Sequence, residues 1–202
     1  MHDTKKSQIL KTVIIVALLA ACLIGAGAYG FFYNNNGGST PLSSTSSNSD
    51  YTNAKNRVDT LTQQLKSSPN DIGLQQDLGD AYYDLGTAAR KNAPNEAKED
   101  YSQAVKNYQV VLKNKQDLNV ITDMATAAYY SDQFDIAEQS YQKALSINPN
   151  FTPALNNYGV FLYEYKKDNA LAIRMWQTAL NQDPNGPNSA QLKDLIKQAQ
   201  NQ

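Results

Sequence analysis

One pattern of residues recurs in the C-terminal half of the chain, and it limits the fold more than any other feature. A small residue is followed by an aromatic residue four positions later, then by a second small residue, a leucine and a proline. The two copies are Ala137, Tyr141, Ala144, Leu145 and Pro149, and Ala172, Trp176, Ala179, Leu180 and Pro184. Corresponding residues lie 35 positions apart. Recurrence at such a period predicts a stack of similar supersecondary units.

A second pattern precedes these copies and indicates the first helix of a two-helix unit. It joins a large residue to a small one and places another apolar residue three positions later. The instances are Leu78-Gly79 with Tyr82, Met124-Ala125 with Ala128, and Tyr158-Gly159 with Leu162. Apolar residues at three- and four-residue steps predict helices. The small residues let two helices approach, the aromatic residues fill the gap beside them, and the proline ends the second helix.

Taken together, these residues resemble the tetratricopeptide repeat (TPR), a helix–turn–helix unit with a period of about 34 residues. The resemblance covers residues 51–202. It implies an all-α fold in which about three helical hairpins stack into a solenoid, with flanking helices at both ends. It implies binding only in general terms, because one fold serves many tasks.

The repeat pattern divides the TPR region, residues 51–202, into five segments. These are a half repeat at 51–70, an extended repeat at 71–117, two further repeats at 118–151 and 152–185, and a capping helix at 188–200. Terminal helices of this kind cover the apolar ends of a solenoid.

The extended repeat is the departure from the regular pattern. Gly79 and Ala125 are 46 residues apart, which is about twelve more than one period. The excess lies between residues 86 and 104. We predict a lengthened hairpin with helices near 71–91 and 94–114 that protrudes from the stack.

The N-terminal part of the chain predicts a membrane anchor. Residues 13–32 contain no charged side chain, and twenty helical residues span roughly 30 Å, the thickness of a bilayer core. The tail at 1–12 carries three lysines, so the positive-inside rule places it in the cytoplasm. We therefore expect a single-pass signal anchor at 13–33 in a bacterial cell membrane, with the TPR region outside the cytoplasm.

Two alternatives to the uncleaved anchor remain open. A cleaved signal peptide has a shorter apolar core than this segment and a small-residue cleavage site. The residues ending at Cys22, Leu-Ala-Ala-Cys, resemble the lipidation motif of bacterial lipoproteins, but the apolar sequence continues after them. Residues 34–50 are rich in Gly, Ser and Asn and predict a flexible linker.

The composition argues against catalysis and against nucleic-acid binding. The chain has one histidine, His2, and one cysteine, Cys22, and both precede the linker. The exterior part therefore lacks the usual general base, a thiol nucleophile and a Cys/His ligand set. Beyond residue 33 there are 15 basic and 18 acidic side chains, so no basic face is expected. We expect no enzyme activity, no metal, no cofactor and no nucleic-acid partner.

A protein or peptide partner is expected to lie in the groove that the first helices of TPR units form. The resemblance implies nine groove-facing residues: Gln76, Asp80, Tyr83, Thr122, Thr126, Tyr129, Asn156, Val160 and Tyr163. The three tyrosines recur at one equivalent position, so they either form a ladder that binds the partner or pack between helices with their hydroxyls at the surface. No lysine stands among the nine residues, so the carboxylate-holding groove known from chaperone-binding TPR proteins is not supported.

These features predict a membrane-tethered scaffold or adaptor that binds a polypeptide segment outside the cytoplasm. Two other roles are open. Anchored TPR proteins of similar architecture assist the assembly of envelope proteins such as c-type cytochromes. The chain could also be a structural subunit of an envelope complex that makes its contacts through the long hairpin near 86–104.

Overall fold

The computed structural model describes residues 46–91 and 93–201, which belong to the second of two compact units, Ser43–Gln202. In this part of the chain the regular structure is entirely helical. The elements are α1 (Ser46–Ser67), α2 (Ile72–Ala89), α3 (Pro94–Asn114), α4 (Leu118–Tyr130), α5 (Phe134–Ile147), α6 (Thr152–Phe161), a π turn (Leu162–Lys166), α7 (Asn169–Gln182) and α8 (Ser189–Gln200).

Aspartates begin several of these helices. The side chains of Asp71, Asp117 and Asp168 accept hydrogen bonds of 2.9–3.0 Å from backbone N–H groups in the first turns of α2, α4 and α7. Such N-caps satisfy donors that have no partner within the helix. Pro94 and Pro153 occupy first turns of α3 and α6, where a missing N–H costs nothing.

Each helix packs against the next one along the chain, from α1 to α8. Where paired helices approach most closely, a small residue faces an aromatic one. A Cβ added at Gly79 would lie 2.8 Å from Cε1 of Tyr108, and a Cβ at Gly159 would lie 2.7 Å from Cδ1 of Trp176. This arrangement of neighbouring hairpins is consistent with an all-α solenoid.

The predicted long hairpin corresponds to α2 and α3. Counted from equivalent residues, α2 ends five residues later than α4, and α3 begins seven residues earlier than α5, which accounts for the excess of about twelve. The extension, predicted to protrude from the stack, makes side-chain contacts with elements on either side of it. Tyr51 of α1 donates a 3.1 Å hydrogen bond to Glu96, and Lys98 forms an ion pair with Asp132 in the α4–α5 turn.

The helix α1 also corrects the predicted linker. It begins at Ser46, so residues 46–50 of the segment assigned to the linker at 34–50 are helical. The apolar face of α1 packs Ala54, Val58 and Leu61 against α2. Once that face has nucleated the helix, each further residue that is fixed adds one hydrogen bond, whereas nucleation fixes several residues for one bond, and this favours extension of the helix towards its N-terminus.

The other end of the helical stack is covered by α8. Its buried residues Leu192, Leu195 and Ala199 lie on one face, and α8 packs on α7. The outward residues Lys193, Asp194 and Lys197 are exposed. A polar outer face of this kind ends a solenoid.

The predicted tail at 1–12, anchor at 13–33, lipidation site at Cys22 and linker residues 34–45 lie outside the described residues. Among the residues that are described, no helix is long and apolar enough to cross a bilayer.

Candidate partner-binding face

The structure buries most of the nine residues that the sequence assigns to a groove. Six are less than 9% exposed: Asp80, Tyr83, Thr122, Thr126, Val160 and Tyr163. The other three, Gln76, Tyr129 and Asn156, are partly exposed. The six buried residues are therefore closed to a partner in this conformation, which corrects their assignment to the groove surface.

The buried polar groups are occupied by contacts within the fold. The carboxylate of Asp80 accepts a 2.8 Å hydrogen bond from the Tyr108 hydroxyl. The Thr126 hydroxyl donates to the carbonyl of Thr122 and lies 2.9 Å from the Tyr141 hydroxyl. The Thr122 hydroxyl donates to the carbonyl of Leu118. The contacts of Asp80 with Tyr108 and of Thr126 with Tyr141 join the two helices of a hairpin, whereas the other two lie within α4. Hydrogen bonding of these groups offsets the cost of burying them.

The three recurring tyrosines pack between helices, which is the second of the two readings that the sequence left open. The ring of Tyr83 meets that of Tyr101 edge-on at 5.4 Å, and the ring of Tyr163 meets that of Trp176 at 5.8 Å. The hydroxyl of Tyr129 donates a 2.7 Å hydrogen bond to Glu164. Packing of large rings across helix pairs holds the hairpins in register.

A different row of side chains lies partly exposed along the same helices. We call it the first-helix face and define it by six residues: Gln76 and Asp84 on α2, Asp123 and Tyr130 on α4, and Asn156 and Glu164 on α6 and the π turn. Within each helix the members are seven or eight residues apart, so they lie on one side of it. The face is thus polar and continues over three first helices.

Carboxyl groups on α2 and α4 repel one another at this face. The pKa of Asp123 is raised to about 8, chiefly by burial and further by the charges of Asp80, Asp117 and Asp84. The pKa of Asp84 is raised to about 6 by burial, although Arg57 opposes the shift through an ion pair of 2.8 Å. Part of the face therefore carries protons near neutral pH.

The π turn determines how the face ends. It directs three consecutive side chains to different helices. Tyr163 packs on Trp176 of α7, and Glu164 accepts a hydrogen bond from Tyr129 of α4. Tyr165 stacks on Phe134 of α5, with ring centres 3.7 Å apart. Burial raises the pKa of Glu164, while the hydrogen bond from Tyr129 lowers it. Short π segments of this kind are frequent at functional sites.

A shallow groove of about 460 Å³ lies between α1 and α2 beside the face. It is lined by Asn56, Arg57, Thr60, Leu61, Gln64 and Asp77. Within residues 46–91 and 93–201, no cluster of three His, Cys, Asp or Glu side chains is arranged to hold a metal ion.

The sequence contained a signal for the residues that the groove assignment missed. Asp84, Tyr130 and Glu164 each stand one helical turn after a predicted residue, namely Asp80, Thr126 and Val160. The predicted positions lie deeper because the neighbouring first helices α4 and α6 pack against each other. The open part of the face is therefore displaced towards the C-terminal ends of these helices.

The fold and the face define an all-helical, repeat-like protein with a polar side along its first helices. No family model matches the chain. A distant homologue is the uncharacterized protein ycf37 of Pyropia yezoensis, which is 31% identical over 115 residues. The match covers 52% of this chain and 64% of the relative, so the chain spans less than two thirds of that protein's length.

Proposed function

We propose that this chain is a membrane-tethered TPR scaffold that binds a segment of a partner protein on the extracytoplasmic side of a bacterial cell membrane. The TPR assignment is supported by the 35-residue recurrence and by the contacts of Gly79 with Tyr108 and of Gly159 with Trp176. The tether is supported by the uncharged stretch at 13–32 and the lysines before it.

The observation that carries the binding role is the first-helix face. Gln76 on α2 and Asn156 on α6 carry amide groups, Tyr130 on α4 contributes its ring, and all three residues are partly exposed. A polypeptide segment that lies across these helices meets an amide on α2, an aromatic ring on α4 and an amide on α6. Because the helices are fixed by packing, the face loses little conformational entropy when it binds.

Capture of a partner from cells tests this role. The full chain carries an epitope tag, and a crosslinker is applied in cells before purification. The double variant Gln76→Ala, Asn156→Ala should lose the captured protein. Among the described residues neither side chain makes a hydrogen bond, and the bond from the Trp176 indole goes to the backbone carbonyl of Asn156, which the substitution keeps.

A matched control changes two exposed residues on the opposite helices of the hairpins. Lys106→Ala, Lys113→Ala on α3 should capture the same protein as the wild type. Equal capture by both double variants would refute the role of the face. Loss confined to Glu96→Gln, Glu99→Gln would place the binding surface on the hairpin and favour the structural-subunit alternative.

Labelling of intact cells tests the tether. In a Cys22→Ala background, a membrane-impermeant maleimide should label Lys113→Cys and should fail to label Lys5→Cys until the cells are lysed. Labelling of Lys5→Cys alone in intact cells would reverse the proposed orientation. Extraction of the protein by alkaline carbonate would contradict the anchor.

A further inference from the structure

The extension of the first hairpin places a positively charged side chain, Arg90, at one end of the first-helix face. Arg90 directly follows α2, which ends five residues later than the shorter α4 when both are counted from equivalent residues. Its guanidinium carbon lies 3.9 Å from the centre of the Tyr130 ring. A first helix of the length of α4 would not reach this position. The extra residues therefore create a feature that the other repeats lack.

Aromatic rings surround this cation on the protein side. The ring of Tyr130 packs on that of Tyr101 at 5.1 Å, and Tyr101 packs on Tyr83 at 5.4 Å. The hydroxyl of Tyr101 is held 3.0 Å from the Thr87 hydroxyl. Arg90 itself is half-buried. The guanidinium lies over the Tyr130 ring, and the N–H donors of an arginine point outward in the guanidinium plane.

Within the described residues no carboxylate lies at ion-pair distance from Arg90, although its charge lowers the pKa of the nearby Glu164 carboxyl. The ion pairs there involve Arg57, Lys98, Lys115 and Lys166, and none includes Arg90. Burial acts to lower the pKa of Arg90, but the neighbouring phenols of Tyr130 and Tyr101 outweigh it and raise that pKa. The hydroxyl of Tyr130 is buried and makes no hydrogen bond of normal geometry to a described residue. The acceptors that face the guanidinium are the hydroxyls of Tyr130 and Tyr101, which are weaker acceptors than a carboxylate.

We propose that Arg90, framed by Tyr101 and Tyr130, binds a carboxylate of the partner segment. The carboxylate's two oxygens match the edge of a guanidinium, and the geometry favours bidentate hydrogen bonds. This proposal deepens the proposed function and rests on it.

The charge around the site favours a carboxylate over a phosphate group. Recognition of a doubly charged phosphate usually takes a cluster of arginines. Here one arginine stands near Glu164, whose pKa it lowers, and Lys98 is already paired with Asp132. Glu164 therefore repels a singly charged carboxylate less than it would repel a doubly charged phosphate. The carboxylate belongs to an Asp or Glu side chain of the partner segment or to its C-terminus.

The chain offers a direct probe, because it contains only three arginines, Arg57, Arg90 and Arg174. Each gives one Nε–H signal in a ¹H–¹⁵N spectrum of the full chain, and each is assigned by its Arg→Lys variant. Titration with sodium acetate at constant ionic strength should shift the Arg90 signal along a saturating curve. The signals of Arg57, which is paired with Asp84, and of exposed Arg174 should drift linearly.

Short peptides then distinguish the two sources of the carboxylate. One N-acetylated tripeptide of glycines has a free C-terminus, and an amidated tripeptide carries a central glutamate. Tighter binding of one than of the other at Arg90 identifies the source. Arg90→Gln should weaken the tighter peptide at least about tenfold, Tyr130→Phe should weaken it less, and Arg174→Gln should leave it unchanged.

The proposal would be overturned if all three arginine signals drifted linearly and in parallel with acetate. It would also be overturned if sodium chloride shifted the Arg90 signal as much as sodium acetate does. Either result is separate from a failure of the scaffold role. Partner capture that depends on Gln76 and Asn156 but survives Arg90→Gln would leave the scaffold standing and remove only the carboxylate site.

Discussion

The hydroxyl of Tyr129, on α4, donates a 2.7 Å hydrogen bond to the carboxylate of Glu164, in the π turn that follows α6. The two residues are 35 positions apart, one full repeat. This bond joins successive repeats at the end of the first-helix face, beside the ring that carries Arg90. The geometry of the face therefore depends on a polar contact as well as on apolar packing.

Tyr129→Phe should lower the free energy of unfolding by about 1.5–3 kcal/mol, because it leaves a half-buried carboxylate without its donor. Glu164→Gln should cost less, since an amide oxygen still accepts from the phenol. A double-mutant cycle measured by urea denaturation should give a coupling of at least about 0.5 kcal/mol. Tyr165→Phe is the control, as that ring is 44% exposed, and its effect should stay within about 0.5 kcal/mol. Additive effects would show that the bond does not stabilise the fold.

Gly159→Ala should destabilise the fold by about 1–3 kcal/mol, since the new methyl group meets the fully buried ring of Trp176. Gly73→Ala is the matched control in the first turn of α2, where the nearest atom is a carboxylate oxygen of Asp71 at 3.2 Å. It should be neutral or stabilising by up to about 1 kcal/mol, because alanine favours the helix. The melting temperatures of the two variants, measured by circular dichroism during heating, distinguish these outcomes. A Gly159→Ala protein as stable as the wild type would contradict the close helix approach.

Asp123 should make the protein less stable as the pH rises. Its folded pKa of about 8 lies above the usual value of a carboxyl, so the folded state binds the proton more tightly than the unfolded state does. The contribution to the free energy of unfolding is complete below about pH 4 and is lost as the pH rises to about 8.

Asp123→Asn remains uncharged and should raise the urea midpoint at pH 8 while changing it little at pH 4.5. Asp84, with a pKa of about 6, also makes the protein less stable as the pH rises, and the Asp123→Asn variant keeps this second pH dependence. The exposed substitution Asp194→Asn on α8 controls for net charge. A variant that stabilises equally at both pH values would show that Asp123 does not titrate in this range.

Lys167→Gly should stabilise the fold by up to about 1 kcal/mol. Lys167 ends the π turn with φ of 58°, in the left-handed region where a side chain is strained and glycine is not. Lys167→Ala keeps the strain and removes the same charge, so it should give no gain. If both variants have the same melting temperature, backbone strain at this position is negligible.

Much of the fold was readable from the sequence because the repeat pattern records helix pairing directly. Gly79 and Gly159 were expected where helices approach, and they lie against Tyr108 and Trp176. The length of the first hairpin followed from counting residues between equivalent positions. The position of the hairpin against its neighbours could not be predicted, because the contacts of Glu96 with Tyr51 and of Lys98 with Asp132 link residues far apart in the chain.

The candidate site was harder to predict for a physical reason. The resemblance gives the side of each first helix that faces the groove, but not how tightly neighbouring helices close over it. Asp80 and Thr126 point to that side and yet are buried by Tyr108 and Tyr141. Arg90 lies within the extra stretch that the sequence singled out, but the ring on which it stacks could be known only from the structure.

Site-specific photo-crosslinking in cells tests the central claim most directly. A photoreactive phenylalanine replaces Gln76 on α2 or Asn119, which precedes Asp123 by one turn on α4, and in control proteins it replaces exposed Lys106 or Lys113 on α3. We predict one distinct crosslinked product from positions 76 and 119, absent from 106 and 113 and lost when Asn156→Ala is added. A product from the α3 positions alone, or none from positions 76 and 119, would contradict binding at the first-helix face.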